Sequence, residues 1–168
     1  MKHILCALSL LLTACAIPTQ PEIPPPEWNA VTDTLEREYE PFFASGTATL
    51  RGQAFLTQIG GGVVVAAGQT VQLDPATTIG NEWWGKAGHT WKWRALTPPS
   101  AAFLKARRQT VADAEGRFTF KNLPAGKYYV RTEVTWYGGY PSTLQGGLVG
   151  IPVEIADGEV REIVLCQL

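Results

Sequence analysis

The stretch Ala112–Trp136, ADAEGRFTFKNLPAGKYYVRTEVTW, limits the folds open to this chain more than any other. It holds two alternating segments framed by two turns. Asp113-Ala-Glu-Gly116 is a turn, because glycine reaches φ > 0 without steric cost and an aspartate side chain can bond its own backbone two residues on. In Arg117-Phe-Thr-Phe120 a period of two puts Phe118 and Phe120 on one face and polar groups on the other. Leu123-Pro-Ala-Gly126 makes the next turn, with Pro124 fixing φ and Gly126 able to go left-handed. Lys127–Trp136 follows as a long strand rich in Tyr, Val and Thr. The pattern demands a sheet with one buried face. It contains no arrangement that performs chemistry.

The flanking sequence supplies the rest of that sheet. A domain begins at Gly46, and Thr47–Leu56 reads as its first strand, with Gly52 as a bulge. Ile59-Gly-Gly-Gly62 is a hairpin connection; no Lys-Ser/Thr and no helix follow it, so it is no phosphate cradle. Val63–Ala67 reads as a buried run. Gly68–Ala76 is a strand with Val71 and Leu73 inward and Pro75 at its end. Thr143–Gly150 is glycine-rich and ambiguous. Ile151–Ile155 and Glu159–Leu168 pair through Ala156-Asp-Gly158. Seven to eight short strands separated by turns specify an all-β fold, a β-sandwich. Gly 17 and Pro 12 are ordinary for such a fold and high for a helical one.

One segment departs from the pattern. Gly80–Gln109 is an insertion of about 30 residues, where a hairpin loop has about 2–5. It carries Trp83, Trp84, Trp91 and Trp93. In any strand Trp83 and Trp84 would face opposite sides, and Trp91 and Trp93 the same side. Ser100, after two prolines, caps a short helix over Ala101–Arg108, with Phe103 and Leu104 inward and Arg107 and Arg108 at the favourable C-terminal end.

Three segments together, AGQTVQLDPAT, TVADAEGRFTFKNLPAGKYYV and IPVEIADGEVREIVLCQL, resemble the carboxypeptidase regulatory-like domain. The likeness spans about Thr47–Leu168 and is most specific at Asp113, Gly116, Phe118, Phe120, Leu123, Pro124, Gly126 and Tyr128. It implies a transthyretin-like (prealbumin-like) β-sandwich of seven to eight strands, an accessory module in many secreted and surface proteins. The Trp-rich insertion, with its short helix, departs from the family's simplest members. The resemblance implies a fold and little about activity, because such a module serves as a scaffold in proteins of many kinds.

The N-terminus reads as an address. Lys2 and His3 precede an apolar run, Ile4–Leu12, too short to span a bilayer. Leu12-Thr-Ala-Cys15 resembles a bacterial lipobox, in which Cys15 takes the lipid. Residues 1–14 are then a lipoprotein signal peptide, 15–45 a lipidated Cys15 with a Pro-rich tether, and 46–168 the β-sandwich domain. Acylation on more than one chain gives a stable membrane anchor. Ala16 after the cysteine resembles the pattern sent to the outer membrane of a Gram-negative cell, so the expected place is the cell envelope, facing the periplasm. The tether Ile17–Pro26 is extended, and Thr32–Glu40 forms one or two helical turns ended by Pro41. Cys6 leaves with the signal and Cys15 is lipidated, so Cys166 stands alone and neither an intramolecular disulfide nor a Cys-based metal site forms.

The chemistry-bearing residues are few. The formal net charge is −1, with no basic footprint for nucleic acid. After signal removal His89 is the single histidine, and it lacks partners at metal-ligand spacing. There is no Gly-x-Ser-x-Gly elbow, and Asp113 and Glu115 are explained by their turn. The chain is therefore expected to be non-catalytic and to need no cofactor or metal. The positive cue is aromatic: Trp83, Trp84, Trp91, Trp93, Tyr137 and Tyr140 fall in or beside loops and form a candidate binding surface. The bland alternative is that the insertion folds back and uses its tryptophans to cover a sheet. The first functional expectation is a structural or protein-interaction module binding another envelope protein. The alternative is a carbohydrate- or peptidoglycan-binding module using the insertion, which an exposed, coplanar Trp row would favour. A transthyretin-type small-molecule hydrolase comes third, and would need a deep cleft with His89 beside Arg94 or Lys92.

Overall fold

The computed structural model describes residues 23–139 and 141–166. The signal segment, Cys6, Cys15 and Tyr140 lie outside the described residues. In chain order the elements are α1 (Asp33–Arg37), α2 (Glu40–Phe43), β1 (Ala48–Thr57), β2 (Val63–Val65), β3 (Thr70–Pro75), α3 (Thr78–Trp83), α4 (Ala101–Ala106), β4 (Arg108–Val111), β5 (Arg117–Leu123), β6 (Gly126–Gly138), β7 (Thr143–Ile155) and β8 (Val160–Leu165). A π-helical turn at Trp84–Gly88 and a 3₁₀ turn at Trp91–Trp93 lie between α3 and α4.

The strands form two four-stranded sheets, which makes the fold an all-β sandwich. In the first sheet β1 is central: it pairs antiparallel with β5 and β2 and parallel with β8. The second sheet runs β4-β3-β6-β7, all antiparallel. Between the sheets lies the main core, including Leu50, Ala54, Val71, Leu73, Phe118, Phe120, Tyr128, Val130 and Val153. Alternation decides this: in β5 Phe118 and Phe120 are buried and Arg117, Thr119 and Lys121 are exposed.

The first framing turn takes the form its residues require. Asp113 Oδ1 accepts from the N–H groups of Glu115 (3.0 Å) and Arg117 (2.8 Å), and Gly116 has φ 74°. The glycine-rich ambiguity after Pro141 resolves as strand: β7 runs unbroken through Thr143–Ile155.

Three local expectations are corrected. Gly52 is not the bulge; the register shift in β1 falls between Ala48 and Leu50. At Gly52 a Cβ would lie 2.4 Å from the Phe118 ring, so this position is kept bare by the aromatic packed across it. Val63–Ala67 is not a buried run, since Val63 is exposed and Val64 and Val65 are half-buried. The segment ending at Ser45 is not all tether: Trp28, Val31, Leu35, Tyr39 and Phe42 pack into a second hydrophobic cluster, and Tyr39 is fully buried.

Candidate functional site

The second cluster covers part of the outer face of the β4-β3-β6-β7 sheet. On β3 and β6 the residues that face away from the main core are Gln72, Asp74, Tyr129, Arg131 and Glu133, alternating with the buried Val71, Leu73, Tyr128, Val130 and Thr132. A polar sheet face in this position ordinarily meets water. Here the insertion and the N-terminal helices roof part of it, and the roof is held by Ile79, Trp83, Ala87, Phe103 and Ala106 with Tyr39 beneath.

Local sequence explains the roof's helices. Thr77 caps α3 by accepting from the Gly80 N–H at 3.1 Å, and Glu38 accepts from the Thr78 N–H at 2.7 Å. Ser100 caps α4 by accepting from the Phe103 N–H at 3.1 Å. The helix stops at Ala106, shorter than its expected extent, because Arg107 turns back to the sheet and Arg108 opens β4. Phe103 is buried as expected, whereas Leu104 is exposed: α4 is only six residues long and offers one buried stripe, taken by Phe103 and Ala106.

Two arginines fasten roof to sheet. Arg107 grips the fully buried Asp74 with both branches, at 2.7 and 3.2 Å. Burial pushes the Asp74 carboxyl up, against the pull of Arg107 and Arg131. Arg131 donates to Gln72 Oε1 (3.0 Å), to the Gly88 carbonyl (2.7 Å) and to the Arg94 carbonyl (3.1 Å), so it holds both ends of the loop that carries His89, Trp91 and Trp93. Burial lowers the Arg131 pKa to about 10, with Asp74 opposing the shift and Arg107 adding to it. Both guanidiniums lie near the Trp83 ring, at 5.2 Å for Arg107 and 4.7 Å for Arg131.

The tryptophans therefore divide. Trp83 has no exposed surface, and its indole N–H donates to the Leu96 carbonyl at 3.0 Å; it belongs to the core and not to a binding surface. Trp84 is half-buried, stacked on Tyr129 with ring centres 4.5 Å apart and planes 8° apart. Gly150 lets it lie close, since a Cβ there would be 2.9 Å from the Trp84 ring edge. Trp93 packs against the second cluster with Lys92 over its ring at 4.7 Å. Trp91 is 40% exposed, with Arg94 over its ring at 4.9 Å. Tyr137, at the far end of β6, is 75% exposed. The four insertion tryptophans do not form an exposed coplanar row. They sit on helical turns, not on a strand, and the bland expectation of a folded-back cover describes Trp83 and Trp84.

Where the roof ends, two shallow depressions meet at Arg131 and Leu148. One, about 270 Å³, is lined by Gln69, Thr70, Gln72, Arg94, Thr132 and Glu133. The other, about 230 Å³, is lined by Trp84, Gly88, His89, Gly150 and Ile151. Arg94 joins the first to Trp91, because it stacks on that ring while bonding Glu133 at 3.1 and 3.3 Å. His89 turns its Nδ1 onto the Trp84 carbonyl and stands beside the Trp84 ring. The arrangement presents planar hydrogen-bonding groups beside one exposed indole. A larger hollow, about 490 Å³, lies on the first sheet around Arg51, Gln53, Arg117 and Glu162, but its lining has no exposed aromatic ring. No group of three or more metal-ligating side chains occurs among the described residues.

Arg131 and Glu133 were missed as site residues in the sequence, and Arg94 was named only beside His89 for a hydrolase cleft. The available signal was faint: Arg131 and Glu133 alternate on the face of β6 opposite its core residues.

Neither a family model nor a curated protein sequence matches the chain. Among solved structures, the chain is similar to PA1324 of Pseudomonas aeruginosa, a candidate carbohydrate binding protein. The identity is 25% and the TM-score 0.69, over 82% of this chain and 100% of that one. A looser likeness, at 14% identity and TM-score 0.40, is to the minor pilin GBS52 of Streptococcus agalactiae, over 73% of this chain and 44% of that one.

Proposed function

We propose that this chain is a non-catalytic binding module of the cell envelope that takes a saccharide in the trough at the roof's edge. The observation that carries the reading is the Trp91–Arg94–Glu133 arrangement: an exposed indole for the apolar face of a sugar ring, and a fixed guanidinium–carboxylate pair for its hydroxyls. Gln72, Thr70 and His89 supply further donors and acceptors around it. Aromatic platforms with a few convergent planar polar groups are what a sugar, apolar on its faces and polar at its rim, requires. The similarity to a candidate carbohydrate binding protein over most of both chains supports the same choice. The sequence likeness to the carboxypeptidase regulatory-like domain fits the sandwich and adds an accessory role. The lipobox at Cys15 adds a membrane tether, so the module would hold an envelope glycan or a glycan-bearing partner near the membrane.

The test is a glycan array with the soluble chain, followed by calorimetry on any hit. Trp91→Ala and Glu133→Gln are each expected to weaken binding roughly tenfold, about 1.4 kcal/mol, with the circular dichroism spectrum unchanged. A hit whose affinity ignores both substitutions moves the site elsewhere, and an array without hits removes the saccharide reading.

A further inference from the structure

The edges of the two sheets are treated unequally. β8 carries Arg161 and Glu162, β4 is four residues long and begins at Arg108, and β2 has three residues. Charge and shortness are how sheet edges avoid pairing with other chains. β7 has neither device along Thr143–Ile151, TLQGGLVGI, nine residues without a charge.

The backbone direction along this edge is fixed. The Ala76 N–H bonds the Lys127 carbonyl, so odd-numbered residues of β6 address β3 and even-numbered ones address β7. The register Val130↔Ile151 and Thr132↔Val149 then gives the odd-numbered residues of β7 to β6. Leu144, Gly146, Leu148 and Gly150 turn their N–H and C=O groups outward. Pro152 falls in the same outward set, where its missing N–H costs β6 nothing and closes the free edge. No backbone group among the described residues pairs with the outward set.

We propose that this edge pairs antiparallel with the same edge of a second copy, about a twofold axis through Gly147. The usable stretch is bounded by the β6–β7 turn and by Pro152, and Gly147 is its midpoint. In that register Leu144 of one copy faces Gly150 of the other, and Leu148 faces Gly146. Each leucine of the outer face, Leu144 exposed and Leu148 half-buried, thus lies opposite a glycine, and at Gly150 the incoming Leu144 meets the edge of the Trp84 ring. No like charges meet across the seam, and a charged peptide would find no counter-charge on it. The two β4-β3-β6-β7 sheets become one continuous sheet, and the interface is isologous, the closed arrangement of a homodimer. The pairing is argued without the saccharide reading, but its seam borders the trough at Leu148 and Gly150, so the saccharide test is read at Trp91 and Glu133 and the dimer test at Leu144 and Leu148.

The experiment is sedimentation of the full chain carrying Cys15→Ser, which removes the lipid site, in reducing buffer, which prevents a disulfide through Cys166. A mass that doubles on concentration is expected. The Leu144→Lys/Leu148→Lys double variant should stay monomeric at every concentration with an unchanged circular dichroism spectrum. As a second readout that needs no variant, amide exchange at Leu144, Gly146, Leu148 and Gly150 should slow only where the dimer forms. A monomer throughout the dilution series overturns the proposal, as does a dimer indifferent to both lysines. Protection of those amides in the monomer also overturns it, because another segment of the same chain then occupies the edge.

Discussion

Trp83 shows how one side chain joins two layers. It is fully buried, bonds the Leu96 carbonyl through its indole N–H, packs on Phe103 with ring centres 5.4 Å apart, and receives two guanidiniums. Removing it opens a cavity in the roof and exposes the buried polar pair beside it. Trp83→Ala should cost about 3–5 kcal/mol by urea unfolding, the range for a large aromatic in a close-packed core. The Asp74–Arg107 pair is a separate test. Asp74→Ala leaves the Arg107 charge, 11% exposed, without its partner and should cost about 3–5 kcal/mol. A loss below 1 kcal/mol would mean that water reaches Arg107 readily. Tyr39 carries the opposite problem: its hydroxyl is enclosed without a hydrogen-bond partner among the described residues, while the neighbouring Thr77 hydroxyl and Gly80 N–H bond each other. Tyr39→Phe is accordingly expected to leave stability unchanged or raise it, which thermal unfolding would show.

At the scale of elements, the N-terminal helices matter more than their length implies. Five- and four-residue helices have no independent stability. They persist because Tyr39 and Phe42 pack on the roof and sheet, and because Glu38 and Glu36 bond across to Thr78, Ser100 and Ala102. A chain cut to begin at Gly46 should retain its β-sheet circular dichroism but melt lower and bind a hydrophobic dye, since the roof's inner face loses its cover. Equal melting with and without residues 23–45 would return that segment to the role of a spacer. The β6–β7 ribbon makes the complementary point. β3 supports β6 only at Tyr128–Arg131, so the ribbon beyond Thr132 is two-stranded and rests on the main core through Val134 and Trp136. That leaves its outer face and the edge of β7 open, which is what the trough and the proposed pairing exploit.

For the whole molecule, the enclosed phenols predict an alkaline limit. A tyrosine in the unfolded chain ionises near 10, whereas burial raises Tyr128 to about 12 and pushes Tyr39 higher still. The fold thus keeps protons that the unfolded chain releases. Their contribution is intact below pH 10 and is lost as the pH rises from 10 through 12. At neutral pH Tyr128→Phe loses the hydroxyl bond to the Pro124 carbonyl, about 1 kcal/mol. By pH 11 that difference between variant and parent should shrink or reverse, and a constant difference across this range would contradict the burial argument. The same contrast between local and distant causes separates what could be read from the chain and what could not. The sandwich strands and their turns were legible in the chain, because Phe118 and Phe120 alternate, Asp113 and Gly116 meet a turn's needs within four residues, and Ser100 caps a helix three residues away. The sequence also located the insertion as the segment to watch. The folded chain alone shows which tryptophans are buried, that Trp28–Phe43 joins the roof, that Asp74 and Arg107 meet across 33 residues of sequence, and that Arg94 and Glu133 form one wall of a trough. Those contacts depend on where a 30-residue excursion lands on the outer face of a sheet. No local periodicity encodes that landing, because it is fixed by packing between surfaces far apart in the chain.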